Sequence, residues 1–165
     1  MPIDFFKVQC LANTSEIRFG ICDDDDELPA YIDSLDENIW IATVLNDDAK
    51  AVTVTAIDKC IDFPLINGDM QSRCDAMLTC DNCLYVIELK NKRSDWQSSG
   101  IEQLEATIQN LISALGETYN NYRLRKAYVA NKRHPSFHAI ENETMEKFRD
   151  IYRVRLDLQA TIRIV

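Results

Sequence analysis

Glycine and proline are scarce in this chain of 165 residues, at four each. With so few chain breakers, no Gly/Ser-rich linker and no internal repeat interrupts it, so residues 1–165 read as one compact domain. No apolar run reaches the ~18–20 residues of a membrane-spanning helix, and no membrane association is expected. The start, Met1-Pro2-Ile3-Asp4, lacks a basic-then-apolar layout, so no secretory leader is expected. No helix-turn-helix, zinc finger or other base-reading module is visible. An excess of basic charge is also missing. The 27 acids and 18 bases leave a net charge of −9, which argues against a surface that binds nucleic acid all round.

What is present is a globular composition, 46% hydrophobic and 27% charged, in a chain long enough to bury a core. Six cysteines without a leader point to reduced thiols and a cytoplasmic setting. The charge is unevenly spread: residues 1–69 carry 15 acids and 4 bases, residues 70–165 carry 12 acids and 14 bases. A polyanion would meet the second half and be repelled by the first. The acidic stretch Asp23–Glu27 reads as a solvated loop ahead of a short helix over Leu28–Glu37, where carboxylates favour the positive helix end. Five contiguous acids lack the alternating ligands and turn glycine of a calcium loop.

Periodicity divides the rest. Phe6, Val8 and Cys10, then Ile17, Phe19 and Ile21 around Asn13-Thr14-Ser15, predict an N-terminal hairpin. Ile39–Leu45 and Ala51–Ile57 around Asn46-Asp47-Asp48 predict a second. Arg73–Thr79 and Leu84–Lys90 are two further strands. Ser99 and Glu102 have capping-box spacing before a helix carrying Ile101, Leu104, Ile108, Leu111, Ile112 and Leu115, which Gly116 would stop. Leu124–Asn131 predicts a strand, and Ile140–Ile151 a helix with Ile140, Met145 and Phe148 inward. Val154–Ile164 alternates as one half-buried strand. The fold class is mixed α/β, with a central mixed β-sheet flanked by helices.

The chemistry concentrates in Arg73–Lys90. If Asp81-Asn82 is a two-residue turn, Cys80 faces Cys83, Met77 faces Val86 and Asp75 faces Glu88. Side chains alternate, so Asp75, Glu88 and Lys90 share one face, with Arg73 opposite Lys90. Facing carboxylates repel unless a cation lies between them, and Mg²⁺ or Mn²⁺ takes one or two carboxylates plus water. The neighbouring lysine adds a fixed positive charge for a phosphoryl oxygen or an attacking hydroxide. A surface salt-bridge cluster would use the same residues.

Asp75, then Glu88-Leu89-Lys90, then a helix carrying Gln103, resembles the PD-(D/E)XK nuclease-like superfamily over about residues 30–130. The resemblance implies a restriction endonuclease-like core, here with an extra N-terminal hairpin. It implies metal ligands at Asp75, Glu88 and the Leu89 carbonyl, a nucleophile-positioning Lys90, and Gln103 approaching the site. It departs from the family pattern at Cys74, where proline is common, and at Thr107, where the Gln-x-x-x-Tyr motif has tyrosine. An early helical Glu would be Glu27 or Glu37.

Lys92, Arg93, Arg123, Arg125, Lys126, Lys132 and Arg133 could line one edge near the site and, with Arg73, contact phosphates without reading sequence. Trp96, beside Ser98-Ser99, would either touch nucleic acid or pack on the long helix. Cys80-x-x-Cys83 and His134-x-x-x-His138 have zinc-ligand types, but opposite strand ends would keep them ~20 Å apart, at ~3.3 Å per residue. The leading expectation is a Mg²⁺- or Mn²⁺-dependent phosphodiesterase, a DNA endonuclease of a defence or restriction-type system. The alternatives are a partner-dependent or non-catalytic subunit of a multiprotein complex, or a member that only binds nucleic acid. A protein partner or homo-oligomer is expected under either of the first two.

Overall fold

The computed structural model describes residues 3–24, 27–69 and 71–165. Among the described residues ten strands form two mixed sheets. The first part of the chain supplies β1 (Leu11–Thr14), β2 (Arg18–Cys22), β3 (Tyr31–Asp33), β4 (Ala42–Leu45) and β5 (Val52–Ala56). The hairpin β6 (Ala76–Cys80) and β7 (Cys83–Lys90) follows, then α1 (Gln97–Leu115) and β8 (Leu124–Asn131). A short α2 (Asn142–Lys147) runs into a π-helical turn (Phe148–Tyr152) before β9 (Arg155–Leu158) and β10 (Thr161–Arg163).

The larger sheet has the order β1-β5-β6-β7-β8-β9, and the smaller β10-β4-β2-β3. β5, β6 and β7 run antiparallel, whereas β7, β8 and β9 are parallel, with α1 in the crossover between β7 and β8. Alternation along β7 builds three layers. Leu84 and Val86 point to α1 and pack with Leu104, Ile108 and Leu111. Tyr85, Ile87 and Leu89 point the other way, into a core with Phe19, Ile21, Val44 and Ile162 of the smaller sheet. This is why β7 is a continuous buried run rather than an alternating one.

Mixed α/β is the observed class, but helices cover only one face of the central sheet; the other face is covered by a second sheet. Neither predicted N-terminal hairpin forms. β1 pairs with β5 and β2 with β4, so each supposed turn is a crossing between sheets. Asn46, fully buried, braces both crossings. Its side-chain amide donates to the carbonyls of Glu16 (3.1 Å) and Lys50 (2.9 Å), its side-chain oxygen accepts from the Lys50 amide (3.1 Å), and its own amide donates to the Ile17 carbonyl (2.8 Å). The alternation at Phe6–Cys10 falls on a 3₁₀ turn (Val8–Cys10) that leaves Val8 82% exposed.

Leu28–Glu37 is not a helix: it contains β3 and leads to a 3₁₀ turn (Glu37–Ile39). Asp33 shapes it, accepting the Leu35 and Asp36 amides and the Trp40 indole N–H (2.8 Å). That indole lies over Gly20, where a Cβ would come within 1.9 Å of the ring. The final alternation is two strands in different sheets. Its inward residues stay buried across the break, with Leu158 in the helix-side core and Ala160 in the inter-sheet core. Met145 is 37% exposed rather than inward. Cys10 and Cys60 form a disulfide, contrary to the expectation of six reduced thiols, because the Val8–Cys10 turn and the turn after β5 bring their Cα atoms within 5.9 Å. Cys22, Cys74, Cys80 and Cys83 are free and buried. Among the described residues no helix is long and apolar enough to cross a membrane.

Candidate functional site

Asp81 adopts the left-handed backbone (φ 51°) that a tight turn requires, and β6 and β7 pair in the predicted register, Met77 opposite Val86 and Cys80 opposite Cys83. One residue beyond the last ladder pair, Ala76–Ile87, Asp75 reaches the end of β7. Its Oδ2 accepts the Leu89 amide at 2.8 Å. Glu88 and Lys90 project to the helix side of the sheet, where Lys90 Nζ lies 3.2 Å from Glu88 Oε2 and donates to Gln103 Oε1 at 2.7 Å. Gln103 Nε2 in turn reaches the Arg73 carbonyl at 3.5 Å. The four residues expected to act together are brought together: Asp75, Glu88 and Lys90 by the hairpin, Gln103 by the first turns of α1.

Asp75 and Glu88 are 8% and 2% exposed. Burial pushes the Asp75 carboxyl up to about 6, against hydrogen bonds from Glu88 and the Leu89 amide that favour its charge. Burial, then the Asp75 charge, pushes Glu88 up much further, against the lowering effect of Lys90. Glu88 Oε1 is buried without a hydrogen-bond partner among the described residues. Two buried carboxyls, one with an orphaned oxygen, fit a hard divalent cation in donor type. Among the described residues no group of three or more His, Cys, Asp or Glu side chains could hold an ion, so a cation here would rest on this pair and on water. Leu89 meets Asp75 through its amide.

Thr107, at the motif's tyrosine position, is a buried clamp. Its hydroxyl accepts the Cys74 amide (2.7 Å) and donates to the Gln103 carbonyl (3.0 Å), tying α1 to the strand that delivers Asp75. Gly100 lets the start of α1 close on β8, since a Cβ there would stand 2.7 Å from Val129 Cγ1. The helix begins at Gln97 with Trp96 as N-cap, so Ser99 does not cap it.

Neither Glu27 nor Glu37, the two expected early acids, is seen in contact with Asp75 or Glu88 among the described residues. Glu37 pairs with Arg18 on the surface, and Glu27 is exposed. The charges that reach Asp75 are those of Asp23 and Asp58, which raise its pKa further. Asp23 belongs to the acidic run, whose Asp25 and Asp26 lie outside the described residues; nothing in its local pattern separates it from its neighbours. Arg73 is not free for phosphate, because its guanidinium bonds Asp58 (3.0 Å) and the Ile61 carbonyl (3.0 Å).

The basic residues divide between two ends of the sheet. Lys92, Arg93, Lys132 and Arg133 are exposed where β7 and β8 end, beside Glu88 and Lys90. Asn131, which the sequence did not single out, ties their loops: its side chain accepts the Lys92 and Arg133 amides and donates to the Lys92 carbonyl (2.7 Å). Arg123, Arg125 and Lys126 lie at the opposite end, where Leu124 pairs with Cys83. Arg125 is spent on three carbonyls, of Tyr119, Tyr122 and Arg153. Trp96 is 4% exposed and part of the core, stacked on His134 (6.1 Å) and edge-on to His138 (5.3 Å). The histidines therefore gather around Trp96 at the end of β8 that leads away from Cys80 and Cys83. No family model, no curated protein and no solved structure matches this chain.

Proposed function

We propose that the chain is a divalent-metal-dependent phosphodiesterase, a DNA endonuclease of a defence or restriction-type system, built on a restriction endonuclease-like core. The observation that carries this reading is the buried Asp75–Glu88 pair with Lys90 and Gln103 ranged beside it. Such an arrangement costs stability unless a cation and an anionic substrate use it. Mg²⁺ or Mn²⁺, when bound, supplies Lewis acidity and a more acidic water. The chain's own residues do the rest. Asp75 and Glu88 supply the negative charge that holds the cation. Lys90 offers a fixed positive charge to the oxygen on which charge develops. Gln103 holds Lys90 in place and spans to the strand carrying Asp75. Lys92 and Arg93 would hold flanking phosphates, joined by Lys132 and Arg133 on release of their bonds to the Asn38 carbonyl and the Asn91 side chain. The four buried free thiols support a cytoplasmic setting, which the Cys10–Cys60 bridge opposes.

Lys90→Ala is expected to abolish cleavage while Mn²⁺ binding, followed by calorimetry, survives. Lost metal binding or undiminished cleavage would remove the role given to Lys90.

A second reading, a subunit that needs a protein partner, is favoured by the acidic half. There an apolar groove of about 510 Å³ runs between the edge strands β1 and β3, lined by Leu11, Leu28, Ala30 and Ile32.

A further inference from the structure

Half of the chain's ten arginines surround one cleft. Arg123 and Arg125 flank the start of β8, Arg149 lies in the π-helical turn, Arg153 follows that turn, and Arg155 opens β9. The cleft offers about 520 Å³ open to solvent, and no acidic residue among the described ones lines it. It lies at the opposite end of the parallel strands from the carboxylate pair: Leu124 and Val129 are five residues apart along β8, about 17 Å at ~3.3 Å per residue.

Three of the arginines are partly committed. Arg125 bonds carbonyls, Arg149 Nε pairs with Asp150 (2.9 Å) and Arg155 Nε with Asp157 (3.5 Å). Arg123 and Arg153 have no side-chain hydrogen bond or ion pair among the described residues. Five arginines around one cleft concentrate positive charge, which the Asp150 carboxylate offsets in part at Arg149 and Arg153 and which an anion between them would offset further. Arg153 also holds a left-handed backbone (φ 59°), a conformation that glycine or asparagine adopts at less cost. The chain places an arginine there, at the end of a π-helical turn, which is an element found often at functional sites.

The cleft is more than a phosphate cup. Leu124 and Met145 give it an apolar wall, with Val154 and Leu156 buried beneath, and its volume falls in the range of small-molecule sites. We propose that it binds a small phosphorylated molecule with an apolar or planar body, of nucleoside diphosphate size, with Arg123 and Arg153 on the phosphates and the apolar wall under the nucleoside. Nucleic acid carries the same phosphate chemistry, but apolar surface beside the arginines favours a nucleotide with a planar body over a tract held through its phosphates alone.

The test is calorimetric titration of the full chain with ADP at low salt in EDTA, which removes any metal-mediated binding at Asp75 and Glu88. Inorganic phosphate and a single-stranded oligodeoxynucleotide are run beside it. ADP is expected to saturate one site and to bind at least about tenfold more tightly than phosphate, because the apolar wall contributes. Arg123→Ala and Arg153→Gly should each weaken ADP binding by about tenfold or more, as charge-assisted hydrogen bonds are lost. Arg153→Gly suits the backbone it replaces, so its melting temperature should be unchanged or raised, which separates lost binding from lost fold. No saturation by ADP, or equal affinity in both variants, would overturn the proposal. Oligonucleotide binding that depends on Arg153, without ADP binding, would overturn it in favour of a nucleic-acid tract.

Discussion

Glu88 carries the sharpest physical tension in the molecule. It is 2% exposed, faces Asp75, and among the described residues has one oxygen without a hydrogen-bond partner and Lys90 as the one cation paired with it. In metal-free protein both carboxyls have folded pKa values above their unfolded ones, Asp75 rising from 3.8 to about 6 and Glu88 further. Between about pH 4 and those raised values the folded state therefore holds more protons than the unfolded state, and stability falls as pH rises. The loss amounts to a few kcal/mol, at roughly 1.4 kcal/mol for each pH unit of displacement. Denaturant unfolding in EDTA should show stability declining from pH 5 to pH 8. Glu88→Gln should flatten much of that decline, and Mg²⁺ should restore wild-type stability at pH 8 but not that of the variant. A wild-type stability that rises over this range would contradict the buried pair. The sequence exposed these residues well, because a two-residue turn and the period of a strand determine which side chains face each other. It concealed Asp23 and Asp58, whose proximity to Asp75 arises from the packing of separate strands and leaves no spacing to read. The partner of Arg73 was hidden for a related reason: the register sets where its backbone lies, while Asp58 holds its side chain.

At the level of elements, the hairpin β6–β7, the helix α1 and the strand β8 were legible because each carries a complete local signal. The N-terminal strands were legible as strands but not in their pairing. Alternation reports that one side of a strand is buried, and a strand entering either sheet satisfies it equally. The decision rests with Asn46, a single buried side chain that makes three hydrogen bonds across both inter-sheet crossings. Asn46→Ala leaves part-buried backbone groups of Glu16 and Lys50 without that partner, at up to about 1–3 kcal/mol each to the extent that water does not replace the bond. Chemical denaturation should show a loss of about 2–4 kcal/mol, within that range for the groups affected. A change under 0.5 kcal/mol would mean that the crossings are held elsewhere. The same limit explains the single strand expected over Val154–Ile164: burial continues unbroken while the partner changes from β8 to β4.

Across the whole molecule, charge follows architecture. The acidic residues 1–69 build most of the smaller sheet and the β1–β5 edge of the larger one, while the more basic remainder builds the strands and helices around the carboxylate pair. The cation group at the ends of β7 and β8 faces the same end as Glu88, so a polyanion approaching there meets attraction at the site and repulsion beyond it. The opposite end of the strands holds the arginine cleft. No composition count could separate these two basic regions, since Lys132 and Arg125 lie on one strand and its extension yet at opposite ends of the sheet.

The most direct measurement is cleavage of supercoiled plasmid, linear duplex DNA, single-stranded DNA and RNA by the full chain with Mg²⁺ or Mn²⁺, beside Glu88→Gln. The variant keeps the shape of the side chain and removes its metal-binding charge. Metal-dependent cleavage of DNA by the wild type, lost in the variant, is the predicted result. Equal cleavage by both proteins, or none by the wild type with Mn²⁺ demonstrably bound, would contradict an autonomous nuclease centred on Asp75 and Glu88.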